Sequence, residues 1–288
     1  MMNDLLWKNL DIGIIGAGRV GGNLAYWLSR KGWRIKTVFS KTTQSAEKVA
    51  NAIPTGISDN LQNVFENCDV AFLTVNDSAI VPLLDRIQEF SKYKVKTLAH
   101  CSGLLPSSIL GLAGLDFAKV SIHPHAPIPR LSTKRNPFAD VLFGIEGDKF
   151  GEEFAIEIVS DLGGILHHID PAQKVLYHAS GVFGSNFVYV IASVAQELLR
   201  ESGISEELSK KTAQIMISRA LQNFIDFGLP DGMTGPVVRG DIDTVQAHIS
   251  ALKNTPFLKF YIEGCRIAAK VAGKEKIFAE LFDSIINE

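Results

Sequence analysis

Short apolar runs alternate with amphipathic stretches over the first part of the chain, the pattern expected of βαβ units building a parallel sheet. The β-rich runs are Leu10–Ile15, Ile35–Phe39, Val70–Val75, Val95–His100, Lys119–His123, Val141–Glu146 and Ile165–Ile169. Between them, apolar residues recur at helical spacing over Gly21–Lys31, Gln44–Asn51, Ile80–Phe90 and Glu152–Leu162. The segment His123–Pro137 carries Pro124, Pro127, Pro129 and Pro137. Proline has no backbone donor for a helix or a ladder, so a loop is expected there.

The period changes at Asp170-Pro171, which reads as an N-cap followed by proline in the first helical position. From there helices are expected over Pro171–Ser202, Ser205–Phe227, Asp243–Asn254, and from Pro256 to near the end. Gly203 and Gly228 stand where helices should stop, and Asp243 with Gln246 reads as a capping box. The one long interruption, Gly228–Asp241, is rich in Gly and Pro, and loops of that length are often functional. The expected fold class is α/β with a doubly wound, mainly parallel sheet over residues 1–170, then an all-α domain over residues 171–288.

Composition narrows the class of protein. Hydrophobic residues make up 46% and charged residues 21% of the 288, too apolar for disorder and sufficient for two cores. With 29 basic and 31 acidic residues the net charge is -2, and no basic stripe invites nucleic acid or an anionic membrane. Cys68, Cys101 and Cys265 lie far apart and form no CxxC pair. That argues for a reducing compartment and against a disulfide framework or a zinc site, so no metal is expected. The apolar run Ile12–Ile15 follows a polar start and ends in glycines, unlike a signal peptide, and no stretch is expected to reach a membrane span. These features imply a soluble, cytoplasmic protein.

The strongest chemical signal is Gly16-Ala17-Gly18-Arg19-Val20-Gly21, a GxGxxG directly after an apolar strand and directly before a helical pattern. In that setting Gly16 makes the tight turn, Gly18 lets a pyrophosphate approach the backbone, and Gly21 lets helix and strand pack closely. Arg19 and Val20 open the helix, whose unpaired N–H groups and dipole favour phosphate. The domain therefore reads as a Rossmann domain for a dinucleotide. At the end of the second strand stands Ser40-Lys41-Thr42-Thr43, with no acid nearby. An NAD enzyme usually places a carboxylate there, whereas Ser40, Lys41 and Thr42 suit a 2′-phosphate, so NADP(H) is the expected cofactor.

Ligands of such sheets collect beyond the carboxyl ends of the strands. Three later strand ends carry polar groups: Thr74-Val75-Asn76-Asp77, His100-Cys101-Ser102-Gly103 and His123-Pro124-His125. Val75, Asn76, His100 and Ser102 are expected on the cofactor side, and His123 on the substrate side. In the first helix of the second domain Lys174, His178, Gly181 and Ser185 fall on one narrow face, with Asn186 further round. His178, read as buried, is the expected proton donor to a carbonyl becoming an alkoxide, and the alternative is a hydrogen-bonded core histidine. In Thr234-Gly235-Pro236-Val237-Val238-Arg239-Gly240-Asp241, Arg239 on a stiffened loop suits a substrate carboxylate. Alternatively, Arg239 and Asp241 tie the loop down.

The strings GIIGAGRVGGNLA, HCSGLLP, SIHPH, YHASGVFGSNF and TGPVVRGD span nearly the whole chain. Their order resembles a bacterial family that joins a Rossmann-like domain to a C-terminal domain long labelled of unknown function. It is similar to the wider 6-phosphogluconate dehydrogenase-like superfamily, which includes 3-hydroxyacid dehydrogenases, pyrroline-5-carboxylate reductases and ketopantoate reductases. Resemblance to the alternative type of ketopantoate reductase implies NADPH-dependent reduction of 2-dehydropantoate in pantothenate synthesis. It also implies a homodimer whose helical domains interlock. On that basis His178, Lys174 or His123 would serve as proton donor, Asn186 would orient the reacting oxygen, and Arg239 would hold the carboxylate, with Ser185, Thr234, Gly235 and Asp241 beside the substrate. The chain departs from the superfamily at Val182, where a lysine commonly precedes the asparagine by one turn, and at Val75-Asn76-Asp77, where proline is more usual. The rivals are a cyclic-imine or deazaflavin-linked reductase and a non-catalytic NADPH sensor.

Overall fold

The structure is a computed structural model that describes residues 7–286. Its sheet has eight strands: β1 (Asp11–Ile15), β2 (Arg34–Phe39), β3 (Gly56–Ile57), β4 (Val70–Leu73), β5 (Thr97–His100), β6 (Ala118–Pro124), β7 (Leu142–Gly147) and β8 (Ile165–His168). Their order is β3-β2-β1-β4-β5-β6-β7-β8. All neighbours are parallel except β6 and β7, which run antiparallel with Ile122 opposite Ile145 and His123 opposite Gly144. Strands β4 and β5 are buried at every position, as central strands covered on both faces must be. That is why they read as unbroken apolar runs rather than alternations. The fold is therefore the expected Rossmann-like α/β sheet followed by a helical region.

The covering helices are α1 (Arg19–Arg30), α2 (Thr43–Ala50), α3 (Leu61–Asn67), α4 (Asp77–Gln88) and α5 (Lys149–Leu162). One apolar layer joins Ile12 and Ile14 to Leu24, Leu28, Trp33 and Phe154, and the opposite layer joins Ile15 to Leu61, Phe65, Leu84 and Leu110. Consecutive residues of β1 thus serve opposite layers, as the pleat dictates. The short edge strand β3, helix α3 and a 3₁₀ segment over Ser107–Ala113 were not expected from the sequence. Each is too short to carry a readable period.

The proline-rich loop begins two residues later than expected, because His123 and Pro124 still belong to β6. Side chains of α1 hold its backbone. Asn23 donates to the Pro129 carbonyl at 3.1 Å and accepts from the Ser132 N–H at 2.9 Å. Trp27 donates to the Ser132 carbonyl at 2.9 Å, and Tyr26 to that of Thr133 at 3.4 Å.

The chain divides into two compact units, Met1–Asn186 and Phe187–Glu288. The helical stretch that follows Asp170-Pro171 thus belongs to the first unit up to Asn186, because its side chains pack on β6 and β7. It opens with a 3₁₀ turn, Pro171–Gln173, capped by Asp170, and continues as α6 (Lys174–Gly181) and a π-turn over Val182–Asn186.

The second unit contains α7 (Phe187–Glu201), α8 (Glu206–Phe227), the one-turn α9 (Pro236–Arg239), α10 (Ile242–Leu252), α11 (Leu258–Val271) and α12 (Glu275–Ile286). Two expectations are corrected here. The last helical stretch is broken by Gly273, whose φ of 66° ends α11. Helix α10 begins at Ile242 with Asp241 as its cap, not at Asp243. Val237, Val245, Ile249, Ile262, Cys265, Phe278 and Phe282 form the core of this unit. No residue of α7 is buried, and on α8 only Ser209 and Ala213 are.

A further expectation needs correction. Pro171–Glu201, 31 residues of continuous helix, is long and apolar enough to cross a membrane by length and composition alone. Scattered polar residues such as Lys174 and His178 hide this when consecutive apolar residues are counted, because they do not lower the average enough.

Candidate active site

The glycine turn fits a dinucleotide. Gly16 has φ 107°, and its N–H donates to the Phe39 carbonyl at 2.8 Å, tying the turn to the end of β2. A side chain on Gly21 would collide with the Gly16 carbonyl and Thr74, so this glycine allows helix and sheet to close up. Gly18 is exposed, and nothing lies within 4 Å of where its Cβ would be, which leaves the backbone open to a ligand. The first turn of α1, with Arg19 and Val20, has no acidic residue and no side-chain cap, so its N–H groups suit phosphate. At the end of β2, Ser40 is half-buried, Lys41 and Thr42 are exposed, and Thr42 donates to Ser45 at 2.8 Å.

The later strand ends divide into structural and cavity-facing groups. Val75 lies against Gly16, and Asn76 is exposed at the start of α4. His100 is fully buried: its Nε2 donates to the Pro106 carbonyl at 3.2 Å, and its Nδ1 accepts from the Ser102 N–H at 3.1 Å. That pairing leaves the ring neutral, and burial together with the Lys174 cation pulls its pKa to about 4. Ser102 accepts from the Leu104 and Leu105 N–H groups and so closes the turn. Both were expected to face the cofactor, but the atoms that would do so are engaged within the turn.

His123 stands at a cavity of about 390 Å³, a volume suited to a small metabolite. Its lining includes His123, His125, His178, Gly181, Ser185 and Asn186. Four of the expected residues, His123, His178, Ser185 and Asn186, are thus brought together. The π-turn explains how adjacent Ser185 and Asn186 both reach it, since the wider turn splays that part of the helix. Ser185 donates to the Gly181 carbonyl at 2.6 Å. His178 was read as buried; it is exposed at the cavity rim, in edge contact with His123 at 5.8 Å between ring centres.

The two imidazoles converge over Gly103. A Cβ on that residue would lie 2.5 Å from His178 Nδ1 and 2.7 Å from His123 Nε2, so only glycine leaves the space between them open. His123 is neutral: burial, followed by the neighbouring His125, His178, Lys174 and His100, pulls its pKa to about 3.

Lys174 does not line the cavity. It is 1% exposed, donates to Ser121 at 2.6 Å, and pairs with Glu146 at 3.3 Å. Glu146 in turn accepts from the Ser107 N–H and hydroxyl, both at 2.6 Å. Burial pulls the Lys174 pKa below its ordinary value. Lys174, one of the three candidate proton donors, is thus a buried strut that pins α6 to the sheet.

In the second unit, Gly235 has φ 111° and precedes α9, and Arg239, mostly exposed, lies 3.7 Å from Asp241. Asp241 accepts from the N–H of Thr244 at 3.1 Å and from its hydroxyl at 2.8 Å, capping α10. Hydrogen bonds from Thr244, with the Arg239 cation adding to them, hold its carboxyl below the usual range. Within this unit the loop-tying reading of Arg239 and Asp241 is therefore the visible one, with Thr234 just ahead of it.

Several contributors were not singled out from the sequence. His125 stacks on Tyr177 at 4.1 Å between ring centres and bonds Ser180 at 3.0 Å. Tyr177, His125 and Gly103 sit inside strings already noted, SIHPH, YHASGVFGSNF and HCSG. The Glu146–Lys174 pairing carries no local signal, because its partners lie far apart in the chain.

Comparison with known proteins matches two separate stretches of the chain. Residues 11–96 match the family described as NADP oxidoreductase, coenzyme F420-dependent, and residues 141–266 match a domain of unknown function, DUF2520. No curated protein matches the chain. Among solved structures, a Bacteroides fragilis protein provisionally named an NADP oxidoreductase is 24% identical, with TM-score 0.75 over 92% of this chain and 99% of that one. A Thermotoga maritima protein is 22% identical, with TM-score 0.71 over 92% and 99%. Plasmodium falciparum pyrroline carboxylate reductase, solved with NADP bound, is 18% identical, with TM-score 0.58 over 94% and 98%. At these identities the likeness is one of fold.

Proposed function

We propose that the chain is an NADP(H)-dependent oxidoreductase acting on a small carboxylic acid whose reacting group sits between His123 and His178. The convergence of those two ring nitrogens over Gly103, in the unit that carries the dinucleotide turn, is the observation that supports it most. The match of residues 11–96 to an NADP oxidoreductase family supports the cofactor. Gly16, Gly18 and the start of α1 would hold the pyrophosphate, and Ser40, Lys41 and Thr42 the 2′-phosphate. NADPH, when bound, supplies the hydride. The exposed His178 would exchange a proton with the reacting group, His123 would orient it, and Asn186 would add a hydrogen bond from the π-turn.

The substrate favoured by the sequence resemblance is 2-dehydropantoate. A cyclic imino acid is the second reading, favoured by the fold shared with a pyrroline carboxylate reductase. The chain would act as a homodimer, because α7 and α8 expose Tyr189, Ile191, Phe224, Ile225 and Phe227, an apolar surface that a second copy would cover. NADPH oxidation against ketopantoate, other branched 2-oxo acids, succinate semialdehyde and pyrroline-5-carboxylate tests the reading. Turnover of one substrate, with NADPH bound more tightly than NADH, is the expected result. Binding without turnover across the panel would leave an NADPH sensor, and tighter NADH binding would remove the role given to Lys41.

A further inference from the structure

We propose that Tyr177 is a positioning residue that holds His123 as its Nδ1–H tautomer, leaving the bare Nε2 as the hydrogen-bond acceptor of the cavity. The inference rests on reading this cavity as the reaction site. A phenol has one proton to give and two lone pairs to fill. Tyr177 gives its proton to the backbone carbonyl of His123 at 3.3 Å. One lone pair accepts the Gly144 N–H at 3.2 Å. The other faces His123 Nδ1, also at 3.2 Å, and only a ring N–H can fill that contact.

The ring is neutral, because burial above all disfavours its charged form, so a proton on Nδ1 means none on Nε2. The phenol reaches this place because Gly144 has no side chain: a Cβ there would lie 3.0 Å from the Tyr177 oxygen. The antiparallel pairing of β6 with β7 sets Gly144 directly opposite His123, so one hydroxyl can grip both strands.

The consequence is a preference for one chemical class. His123 Nε2 faces the space over Gly103, where an acceptor welcomes a group that carries a proton. The hydroxyl that a reduced 2-oxo acid carries, or a protonated imine N–H, fits there, and a carboxylate oxygen is repelled. With its proton affinity so low, His123 accepts a hydrogen bond rather than a proton, which leaves proton exchange to His178. The other tautomer would present N–H and reverse the preference, so Tyr177 decides which group the cavity favours.

The tautomer can be read in the full-length protein without substrate or cofactor, from the ¹⁵N shifts of histidine-labelled protein at neutral pH. The His123 signals are assigned by their loss in His123→Gln. We expect a protonated Nδ1 and a bare Nε2 in the wild type, and a shift toward Nε2–H in Tyr177→Phe. A wild-type spectrum showing Nε2–H overturns the proposal, whether or not the variant folds; so does an unchanged tautomer in a folded variant. On whichever panel substrate is turned over, Tyr177→Phe should lower kcat about tenfold with the KM for NADPH unchanged. A panel with no turnover would defeat the functional reading and still leave the tautomer to be decided by the spectrum.

Discussion

Lys174 shows how a single side chain can be misread from its neighbours in sequence. It shares a helical face with His178, yet its ammonium is spent on Glu146 and Ser121 inside the protein. Removing one partner of a buried pair leaves an uncompensated charge, which costs about 3–5 kcal/mol. Lys174→Ala should therefore lower stability by that order in urea unfolding, and Lys174→Met with Glu146→Gln should recover most of it. A loss below about 1 kcal/mol for the single variant would show that Glu146 is satisfied by Ser107 alone.

The buried histidines carry a pH signature. His100 and His123 hold folded pKa values near 4 and 3, against 6.5 for the free ring. Below pH 6.5 the unfolded chain takes up protons that the folded one refuses, so stability falls as pH is lowered toward those values. Each such group adds a slope of at most about 1.4 kcal/mol per pH unit. His123→Gln should flatten the decline between pH 6.5 and 5 relative to wild type, and an unchanged slope would mean that His123 titrates normally in the fold.

At the level of elements, caps and stops matter more than propensity. Asp241 caps α10 with both carboxylate oxygens, so Asp241→Ala should lower the Tm. A Tm equal to wild type would return Asp241 to the list of free binding groups. Most of the first unit was legible in the sequence because strands such as β4 and β5 are buried on both faces and flanked by turn residues. The glycine turn was legible because each glycine answers a distinct steric need. What could not be read was pairing. Nothing in Val141–Glu146 tells that β7 runs against β6, and nothing local joins Glu146 to Lys174 or Tyr177 to Gly144. The helix period likewise gave Ser185 but could not foresee the π-turn that brings Asn186 beside it. Asp243 looked like a cap because the true cap, Asp241, lies just two residues earlier.

At the scale of the whole molecule, the largest unmet demand is the bare apolar surface of α7 and α8. Phe227 is 65% exposed and Tyr189 75%, on helices that bury almost nothing within their own unit. Under the proposed homodimer, sedimentation should show two copies at micromolar concentration, and Phe224→Asp with Ile225→Asp should yield a monomer. A monomeric wild type would reject the dimer. It would also direct attention to the span-length apolar helix Pro171–Glu201.

The loop between β6 and β7 is fastened in an unusual currency. Asn23, Tyr26 and Trp27 reach the loop through its peptide groups, at Pro129, Ser132 and Thr133. Its path is therefore fixed through its backbone and the buried Ile128 and Phe138, while its exposed side chains take no part. Exposed Arg130, Lys134 and Arg135 can be exchanged by mutation without unseating the loop. Related proteins should accordingly show a steady backbone course here beneath residues that drift freely at Arg130, Lys134 and Arg135, an evolvable margin beside a fixed site.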